Sequence, residues 1–280
     1  MYNAFTIDVE DYYHVQAFAR VISKSTWGTY PSRVDNNTRV LLDLLDAHSV
    51  KATFFILGWV AKRHPELVRE IAARGHEIAS HGMSHVLVYT QSKQEFRDET
   101  QCSKALLEDQ CQQHVIGYRA ATYSITRASL WALDIIYEAG FKYDSSIVPI
   151  RHDNYGIPEA YPFPSQLRTP AGFDIIEFPV SVFTYKKLKV PVAGGGYFRL
   201  FPYGLTKSAL QNINNAGHEF LFYLHPWEID PEQPRIKTAG LLSKFRHYTN
   251  LHKTEPRLRK LLTDFSFTTM RNVLIDKGLL

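Results

Sequence analysis

The chain has 280 residues, of which 45% are hydrophobic and 21% are charged, and its formal net charge is +4. These values are typical of a globular domain of enzyme size, and they exclude a disordered or low-complexity chain. Basic residues form two short runs, at residues 186–189 and 257–260, which solvated faces explain better than a nucleic-acid site does. No apolar run approaches the length of a membrane span.

The two cysteines and the N-terminus bear on the compartment. Cys102 and Cys111 lie nine residues apart on a predicted helix. Their Cα atoms should then be about 13 Å apart, too far for a disulfide, and free thiols are typical of a reducing compartment. Residues 1–8 lack the basic and apolar regions of a signal peptide. We therefore expect a cytoplasmic protein, and a periplasmic location would need a leader ahead of this sequence.

Apolar periodicity predicts alternating strands and helices along most of the chain. The predicted strands are residues 4–9, 51–57, 76–80, 115–119, 141–144 and 219–224. The predicted helices are one capped by residues 36–38, then 58–74 with a break at Pro65, 92–110, 126–137, 202–216 and two within 238–262. Such alternation is typical of a parallel α/β sheet or barrel, in which ligands bind at the carboxyl ends of the strands.

The first predicted strand ends in an acidic cluster of Asp8, Glu10 and Asp11. Carboxylates at the end of a buried strand are costly unless they are paired or have a function. One interpretation is a helix N-cap or a turn. The other is a functional pair, in which one carboxylate binds a metal and one acts as a base. Asp8 and Glu10 share a face of the strand, because side chains alternate along it.

The third predicted strand runs into His81-Gly82-Met83-Ser84-His85. On a helical turn, histidines four positions apart share one face, within reach of one ion. Gly82 permits a tight turn between them, and neutral imidazole suits zinc and related divalent metals. The pair alone is a weak signal, because 12 histidines in 280 residues produce such spacings by chance. A third ligand must come from elsewhere in the chain.

Titratable residues recur at three later strand ends, as Arg119, Asp144 and His225. A single histidine at such a place is more often a packed, hydrogen-bonded residue than a catalytic one. Together with the acidic cluster and the histidine pair, however, His225 is a candidate catalytic acid, because histidine can release a proton near neutral pH. The recurrence strengthens the hypothesis of a metal site at one edge of the sheet.

Residues 150–202 differ from the rest of the chain, because they are rich in Pro, Gly and Tyr and carry strand-like pieces at 175–178 and 180–185. The run Gly194-Gly195-Gly196-Tyr197-Phe198-Arg199 indicates a loop whose backbone closely approaches another part of the molecule. It lacks the Lys-Ser/Thr of a phosphate-binding loop. The stretch is either an insertion at the rim of an active site or a plain surface loop.

Five strand-end motifs resemble the polysaccharide deacetylases of the NodB type, carbohydrate esterase family four, over roughly residues 4–228. The motifs are Thr6-Ile7-Asp8-Val9-Glu10-Asp11, His81-Gly82-Met83-Ser84-His85, Arg119-Ala120-Ala121-Thr122-Tyr123, Tyr143-Asp144-Ser145-Ser146 and Tyr223-Leu224-His225-Pro226. The resemblance implies an α/β fold, a distorted (β/α) barrel with a Pro/Gly/aromatic-rich insertion and C-terminal helices. It also implies a single catalytic domain over residues 1–280, with its core at 4–228 and a helical extension at 229–280.

The segments Asp-Val-Glu-Asp-Tyr, Gly-Gly-Gly-Tyr-Phe-Arg and Leu-His-Pro-Trp-Glu are more similar still to deacetylases associated with exosortase and exopolysaccharide gene clusters. The resemblance implies a metal-dependent hydrolase that removes acetyl groups, N-acetyl above all, from a polysaccharide in bacterial exopolysaccharide biosynthesis. The implied metal is Zn²⁺, with Co²⁺, Ni²⁺ or Mn²⁺ as alternatives, held by His81, His85 and either Glu10 or Asp11. The implied partner is an acetylated polysaccharide or oligosaccharide, with no nucleic acid and no membrane span.

The resemblance also implies roles for the remaining strand-end residues. Asp8 is the expected base, oriented and kept ionised by Arg119. His225 is the expected acid, and Asp144 is the candidate partner that tunes it. The oxyanion is expected to meet the backbone N–H of Thr122. Several aromatic side chains are expected either to stack on sugar rings or simply to pack, namely Tyr123, Tyr197, Phe198 and Trp227.

Two departures from the family pattern leave alternatives open. The usual adjacent Asp-Asp pair is replaced by Asp8-Val9-Glu10, a spacing similar to that of atypical members, and the usual proline of the third motif is Ala121. Loss of that proline removes backbone stiffness beside Thr122, so reduced activity or a shifted loop is one expectation. The alternatives are a glycan-binding homologue without turnover and an amidase acting on a small cyclic amide or ureide. The polysaccharide, the acetyl linkage and the oligomeric state stay open.

Overall fold

The computed structural model describes residues 1–186 and 188–280, so Lys187, in one of the two basic runs, lies outside the described residues. The strands are β1 Asn3–Val9, β2 Thr53–Ile56, β3 Glu77–Ser80, β4 Gly117–Tyr118, β5 Tyr143–Asp144, β6 Ser165–Arg168, β7 Asp174–Glu177, β8 Val182–Tyr185, β9 Leu188–Pro191, β10 Leu221–Leu224 and β11 Phe267–Thr268. The α-helices are α1 Val34–Ala47, α2 Gly58–Arg63, α3 Pro65–Ala73, α4 Lys93–Cys111, α5 Trp131–Glu138, α6 Gly195–Leu200, α7 Tyr203–Asn215, α8 Leu241–Tyr248, α9 Thr254–Asp264 and α10 Met270–Asp276.

The described strands form a nine-stranded sheet and a separate β8–β9 hairpin. The order in the sheet is β10-β1-β2-β3-β4-β5-β7-β6, and β11 also pairs with β1. Within the nine-stranded sheet the strands pair in parallel, except that β6 runs antiparallel to β7. The strands of the β8–β9 hairpin are also antiparallel. This curled sheet with helices around it is a distorted (β/α) barrel, so the predicted fold class is confirmed. Strands from the two ends of the chain meet in it, because β1 pairs with β10 and β11.

The central strand β1 is buried along its whole length, because it pairs with neighbours on both sides. Phe5, Ile7 and Val9 join the apolar core that also contains the buried faces of the surrounding helices. Thr6 and Asp8 alternate with them and point into the barrel. A shift of register by one residue would exchange the two sets, so this pattern fixes the side on which Asp8 lies.

The helix α10 closes the end of the barrel at which the strands begin. Met270, Val273 and Leu274 pack there against Phe55 and Tyr143 in an apolar cluster. Burying each side chain of this size contributes roughly 1.5–3 kcal/mol to stability. Because α10 covers this end, the barrel is accessible at its opposite end, where the polar strand-end residues lie.

The predicted helices are largely confirmed, and one boundary is wrong. α2 and α3 meet at Pro65 as predicted, and α4 begins after Ser92, whose hydroxyl accepts a hydrogen bond from the backbone of Glu95. The first helix begins at Val34, so the residues predicted to cap it lie inside it. The error has a physical cause, because the cap comes from the distant carboxylate of Asp11, which accepts hydrogen bonds at the start of α1.

The Pro/Gly/aromatic-rich insertion contributes two hairpins and a short helix. Two of its four strands, β7 and β8, were predicted, whereas β6 and β9 were missed. Residues 195–200 are helical rather than a loop. The predicted close backbone approach is confirmed, because Gly194 has a φ of +137° and a Cβ there would lie 1.9 Å from the Tyr223 carbonyl oxygen.

The positions of the two cysteines agree with the sequence analysis. Cys102 and Cys111 both lie on α4 and are free thiols. Among the helices that the structure describes, none combines the length and the apolar character that crossing a bilayer requires.

Candidate active site

The carboxyl ends of the parallel strands surround a pocket of about 330 Å³. Most of the residues predicted for the site line it, namely Asp8, Glu10, His81, His85, Thr122, Tyr123, Tyr197, His225 and Trp227. Four other predicted residues, Asp11, Arg119, Asp144 and Phe198, lie outside the lining. The pocket therefore collects groups from four strand ends and from α6, as ligand sites in parallel α/β folds generally do.

Glu10, His81 and His85 each place one candidate ligand atom within 4.8 Å of the others. His85 Nε2 lies 2.7 Å from Glu10 Oε2, yet that buried oxygen has no hydrogen bond of normal geometry from any described residue. A buried carboxylate oxygen in this situation is costly unless a cation meets it. Two imidazoles and one carboxylate are also a ligand set of catalytic zinc sites. The residues present therefore fit a divalent transition metal.

The protonation of these groups suits metal binding. Burial lowers the pKa of His81 to about 4, so its ring is neutral at pH 7. Its Nδ1–H donates to the Arg119 carbonyl at 2.8 Å, which leaves the Nε2 lone pair for a ligand. Burial alone would raise the pKa of Glu10, but His85, His225 and His81 outweigh it and hold that pKa well below its usual range.

The turn between the two histidines is not the helical turn that was predicted. Residues 81–85 are irregular, and Gly82 and His85 both have left-handed backbones, with φ of +73° and +52°. A Cβ at Gly82 would lie 3.3 Å from Tyr118 Oη. The rings of His81 and His85 nevertheless lie 5.4 Å apart, centroid to centroid. The helical geometry is corrected, whereas the expected proximity of the two rings is observed.

Asp11 lies outside the candidate metal group. Its carboxylate accepts hydrogen bonds from the backbone N–H groups of Arg33 and Val34, at 2.9 and 3.2 Å, and from the Ser32 hydroxyl at 2.7 Å. These bonds cap the start of α1, which is the capping interpretation of the acidic cluster. Of the two acids left open as metal ligand, the geometry favours Glu10, and Asp11 is corrected to a structural role.

Asp8 is held by the fully buried guanidinium of Arg119, with Nη1 2.5 Å from Asp8 Oδ1. The same Nη1 donates to Thr6 Oγ1 at 3.0 Å, and the other guanidinium nitrogens donate to the carbonyl and hydroxyl of Ser145. The Asp8 carboxylate and the Arg119 guanidinium stabilise each other, because either charge buried without its partner would lower the stability of the fold by several kcal/mol. Asp8 Oδ2 is left toward the pocket, 3.9 Å from His225 Nε2.

His225 faces the two acids of β1 across the pocket, with Nε2 3.6 Å from Glu10 Oε1 and 3.9 Å from Asp8 Oδ2. Its Nδ1–H donates to Glu228 Oε1 at 2.8 Å, and Glu228 Oε2 accepts from Arg199 Nε at 2.7 Å. Burial alone lowers the pKa of His225, but the hydrogen bond to Glu228 and the charges of the three carboxylates raise it to about 9. Glu228 thus fixes the ring and leaves Nε2 toward the pocket.

Asp144 is not the partner of His225, and this prediction is corrected, because the His225 Nδ1 bond goes to Glu228. Asp144 accepts from the hydroxyl of Ser146 at 2.7 Å, and that hydroxyl accepts from the Ala120 backbone at 2.8 Å. Burial raises the pKa of Asp144 to about 6. The structure therefore gives Asp144 an indirect part, which is to support the backbone just before Thr122.

The turn after β4 is strained at the pocket. Thr122 and Tyr123 both have left-handed backbones, with φ of 55° and 54°. Each such residue costs about 1–2 kcal/mol, and strain of this kind persists where the surrounding structure enforces it, often at functional sites. Ala120 has φ −69° and ψ 142°, the extended conformation that normally precedes a proline. The backbone before Ala121 therefore has the shape that the family proline would need.

The predicted aromatic residues divide into rim and packed side chains. Tyr197 is half-buried at the pocket rim, and Tyr123 Oη lies 3.5 Å from Asp8 Oδ2. Trp227 is almost fully buried and stacks on His225 and on His247, at centroid distances of 5.2 and 4.1 Å. Phe198 is buried in the main core. Packing is therefore the better interpretation for Trp227 and Phe198.

The sequence analysis missed the groups behind His225. Glu228 lies three residues after His225, and the two form a reciprocal capping arrangement that a His-x-x-Glu spacing could have indicated. Arg199 is the last residue of the glycine-rich segment, and the sequence predicted no role for it. Its guanidinium also binds the carbonyl groups at the end of α8, a long-range arrangement with no local sequence signal.

Comparison with known families gives two matches that together span most of the chain. Residues 21–143 match the family described as polysaccharide deacetylase, and residues 145–275 match a domain of unknown function, DUF3473. The first match contains His81, His85 and Arg119, and the second contains His225 and Glu228. The candidate site therefore draws on both matched stretches.

Individual relatives agree with the first match. A chitooligosaccharide deacetylase of Bradyrhizobium sp. (strain ANU 289) is 33% identical over 96 residues, which cover 34% of this chain and 42% of that protein. The chain thus spans less than half the length of this curated relative. A Mycobacterium smegmatis structure described as a polysaccharide deacetylase aligns with TM-score 0.61 and 22% identity, over 96% of this chain and 87% of that chain.

A further solved structure, the Puue allantoinase, aligns with TM-score 0.59 and 16% identity, over 96% of this chain and 87% of that chain. At this level of identity the structural likenesses show a shared fold. The likeness to deacetylases therefore rests on the match over residues 21–143 and on the strand-end motifs. That stretch belongs to the polysaccharide deacetylase family, and the whole chain has the barrel fold of the two solved structures.

Proposed function

We propose that the protein is a metal-dependent hydrolase that removes acetyl groups, N-linked ones in particular, from a polysaccharide or oligosaccharide in exopolysaccharide biosynthesis. One observation carries the proposal. A fixed carboxylate, Asp8, and a fixed imidazole, His225, face each other beside three residues that fit a metal. Amide hydrolysis needs a base for the attacking water and an acid for the leaving nitrogen, and these two groups can supply both.

Glu10, His81 and His85 would hold a divalent metal such as Zn²⁺, which would supply Lewis-acid polarisation of the acetyl carbonyl and of the attacking water. Asp8 accepts the proton of that water through Oδ2, because Arg119 already occupies Oδ1. The orientation of Asp8 is therefore set before the substrate binds.

His225 gives a proton from Nε2 to the leaving amine nitrogen, while Glu228 holds the ring through Nδ1. The strained turn at Thr122 offers its backbone N–H to the negative charge that develops on the carbonyl oxygen. The balanced reaction consumes one water and yields acetate and a free amine on the sugar. Tyr197 at the rim is a candidate platform for a sugar ring.

We also propose that the two matched stretches act as one catalytic domain over residues 1–280. The base lies on β1, ahead of residues 21–143, the two histidines of the candidate metal group lie inside that stretch, and the acid follows β10 in the second stretch. β1 pairs with both β2 and β10 in one sheet, so the site needs residues from all three parts of the chain. This arrangement supports a single unit rather than two independent modules.

The proposal is tested by measuring acetate release from N-acetylated chitooligosaccharides and from O-acetylated oligosaccharides of matched length. The expected result is release from the N-acetylated series, loss of release after chelation, and recovery when Zn²⁺ or Co²⁺ is added back. Glu232→Gln, an exposed acid just beyond the site, is the control variant and should behave like the wild type.

Two results would replace the proposal by one of its alternatives. Saccharide binding without acetate release from any substrate, with metal bound, would indicate a glycan-binding homologue without turnover. Ring opening of a small cyclic amide or ureide, without release from oligosaccharides, would indicate an amidase.

A further inference from the structure

The helix α8 exposes three large apolar side chains to solvent. Leu241, Leu242 and Phe245 are 86%, 61% and 55% exposed. Leu241 is the most exposed of the large apolar residues whose exposure the structure describes. Phe245 lies four residues after Leu241 and three residues after Leu242, so its side chain adjoins both leucines on the helix surface and the three form a continuous apolar strip. An exposed apolar patch of this kind usually marks an interaction surface.

The same part of the chain is strongly basic. From residue 233 to residue 254 the sequence contains five Lys and Arg residues and neither Asp nor Glu. Four of them surround the strip, namely Arg235, Lys237, Lys244 and Arg246. We call these four residues, with Leu241, Leu242 and Phe245, the α8 patch. Within the described part of the chain, none of the four cations forms an ion pair with a carboxylate.

Local contacts hold several of these cations close to α8. The Arg235 guanidinium lies 4.3 Å from the ring centroid of Tyr248, and Lys244 Nζ donates to the Lys237 carbonyl at 2.7 Å. Arg246 lies four residues after Leu242, hence on the same side of the helix. The positive charge is therefore arranged around the apolar strip and is not neutralised by the protein.

The α8 patch has a fixed position beside the pocket. Arg246 and His247 line the pocket, one turn away from the exposed leucines. The buried guanidinium of Arg199 binds the carbonyl oxygens of Arg246, His247 and Thr249, at 2.8–3.0 Å. The same guanidinium holds Glu228, so the end of α8 is tied to the candidate site. Whatever binds the patch will lie next to the pocket mouth.

We propose that the α8 patch docks the protein on an anionic lipid membrane, with the pocket mouth at the bilayer surface. An amphipathic helix with apolar residues on one side and cations around them lies in the interface of a bilayer, and its apolar face enters the headgroup region by roughly 5–10 Å. Anionic headgroups neutralise the cations, each of which strengthens binding by roughly fivefold. A bilayer thus supplies both an apolar layer and negative charge to a patch that lacks carboxylates of its own.

A protein partner is the less favoured occupant, because lysine is depleted in protein interfaces and four uncompensated cations would need matching acids. A second copy of this chain would oppose one basic patch to another and would therefore be repelled. Docking goes beyond the deacetylase activity and does not depend on it, since it concerns side chains outside the candidate metal and proton-transfer groups.

The test is co-sedimentation of the full chain with vesicles of phosphatidylcholine alone or with about one third phosphatidylglycerol. The expected result is binding to the anionic vesicles alone, weakened by added salt. A variant carrying Leu241→Ser, Leu242→Ser and Phe245→Ser should bind at least roughly tenfold more weakly. A variant carrying Arg235→Gln, Lys237→Gln and Lys244→Gln should lose a comparable amount.

The matched control is Leu205→Ser on α7, because Leu205 is a leucine 62% exposed outside the patch. It should bind like the wild type. The patch variants should keep the wild-type Tm and the wild-type activity on soluble oligosaccharides, which separates this proposal from the proposed function. Absence of binding to anionic vesicles, or an equal loss in Leu205→Ser, would overturn the proposal. So would a dimer in light scattering that the serine variant abolishes while vesicle binding is unchanged.

Discussion

Replacing Glu228 by glutamine tests the role of the group behind His225. The side chain keeps its size and an acceptor for His225 Nδ1, but it loses the negative charge that now accepts from His225 and Arg199 at 2.8 and 2.7 Å. A hydrogen bond to a charged group stabilises by about 1.5–3 kcal/mol. At about 1.4 kcal/mol for each factor of ten, its loss lowers kcat/KM roughly 10- to 150-fold.

The assay is initial-rate acetate release from an N-acetylated oligosaccharide, with bound metal measured in the same samples. The matched control is Asp230→Asn, two residues further on. Asp230 accepts two hydrogen bonds from the Arg33 guanidinium, at 2.7 and 3.0 Å, and does not line the pocket. The Asp230→Asn variant should have a lower Tm, and its kcat/KM should stay within about twofold of the wild-type value. A Glu228→Gln enzyme with wild-type turnover, or an equal loss in the control, would refute the reasoning.

Three further predictions concern other carboxylates and the third motif. Glu10→Gln should weaken Zn²⁺ binding by roughly tenfold to a hundredfold or more, whereas Asp11→Asn should lower the Tm and leave the Zn²⁺ affinity unchanged. Calorimetric titration with Zn²⁺ distinguishes a metal ligand from a helix cap. An equal loss of Zn²⁺ affinity in both variants would contradict this assignment. Ala121→Pro should raise the free energy of unfolding by about 0.4–1 kcal/mol, because the backbone of Ala120 already has the conformation that precedes a proline. Denaturant unfolding measures this free energy, and a loss of stability in the variant would contradict the prediction. Burial and the neighbouring Asp144 raise the pKa of Glu177 well above its usual range, and burial raises the pKa of Asp144 to about 6. The pair therefore contributes stability at low pH that is lost as the pH rises through the folded pKa values. The Tm of Glu177→Gln relative to the wild type should accordingly rise as the pH is raised through about 6, and a difference that does not change with pH would contradict this.

The sequence predicted which residues meet at the pocket, because the carboxyl ends of parallel strands share one edge of the sheet. That rule brought Asp8, Glu10, His81 and His225 together before their distances were known. It could not predict which side-chain atoms face each other. Asp144 shows this limit, because it follows a neighbouring strand yet bonds to Ser146 rather than to His225.

Local sequence patterns could not predict capping and stacking contacts between residues that are far apart in the chain. The cap of α1 comes from Asp11, more than twenty residues earlier, so the start of that helix was misplaced. The sequence left Trp227 open between stacking on a sugar and packing inside the protein, and the ring of His247 from α8 packs against it. Arg199 joins Glu228 to the end of α8 through contacts that span about fifty residues. Such arrangements depend on tertiary packing, which periodicity does not encode.

The most direct test of the account measures acetate release and bound metal together in the wild type and in Asp8→Asn. Asparagine keeps the shape of the side chain and an acceptor for Arg119, but it cannot take a proton from water. The account predicts that metal remains bound while release falls by roughly 10²–10⁴-fold. A check of the Tm is required, because Arg119 then loses its buried countercharge. A folded, metal-loaded Asp8→Asn protein that still releases acetate at the wild-type rate would contradict the account.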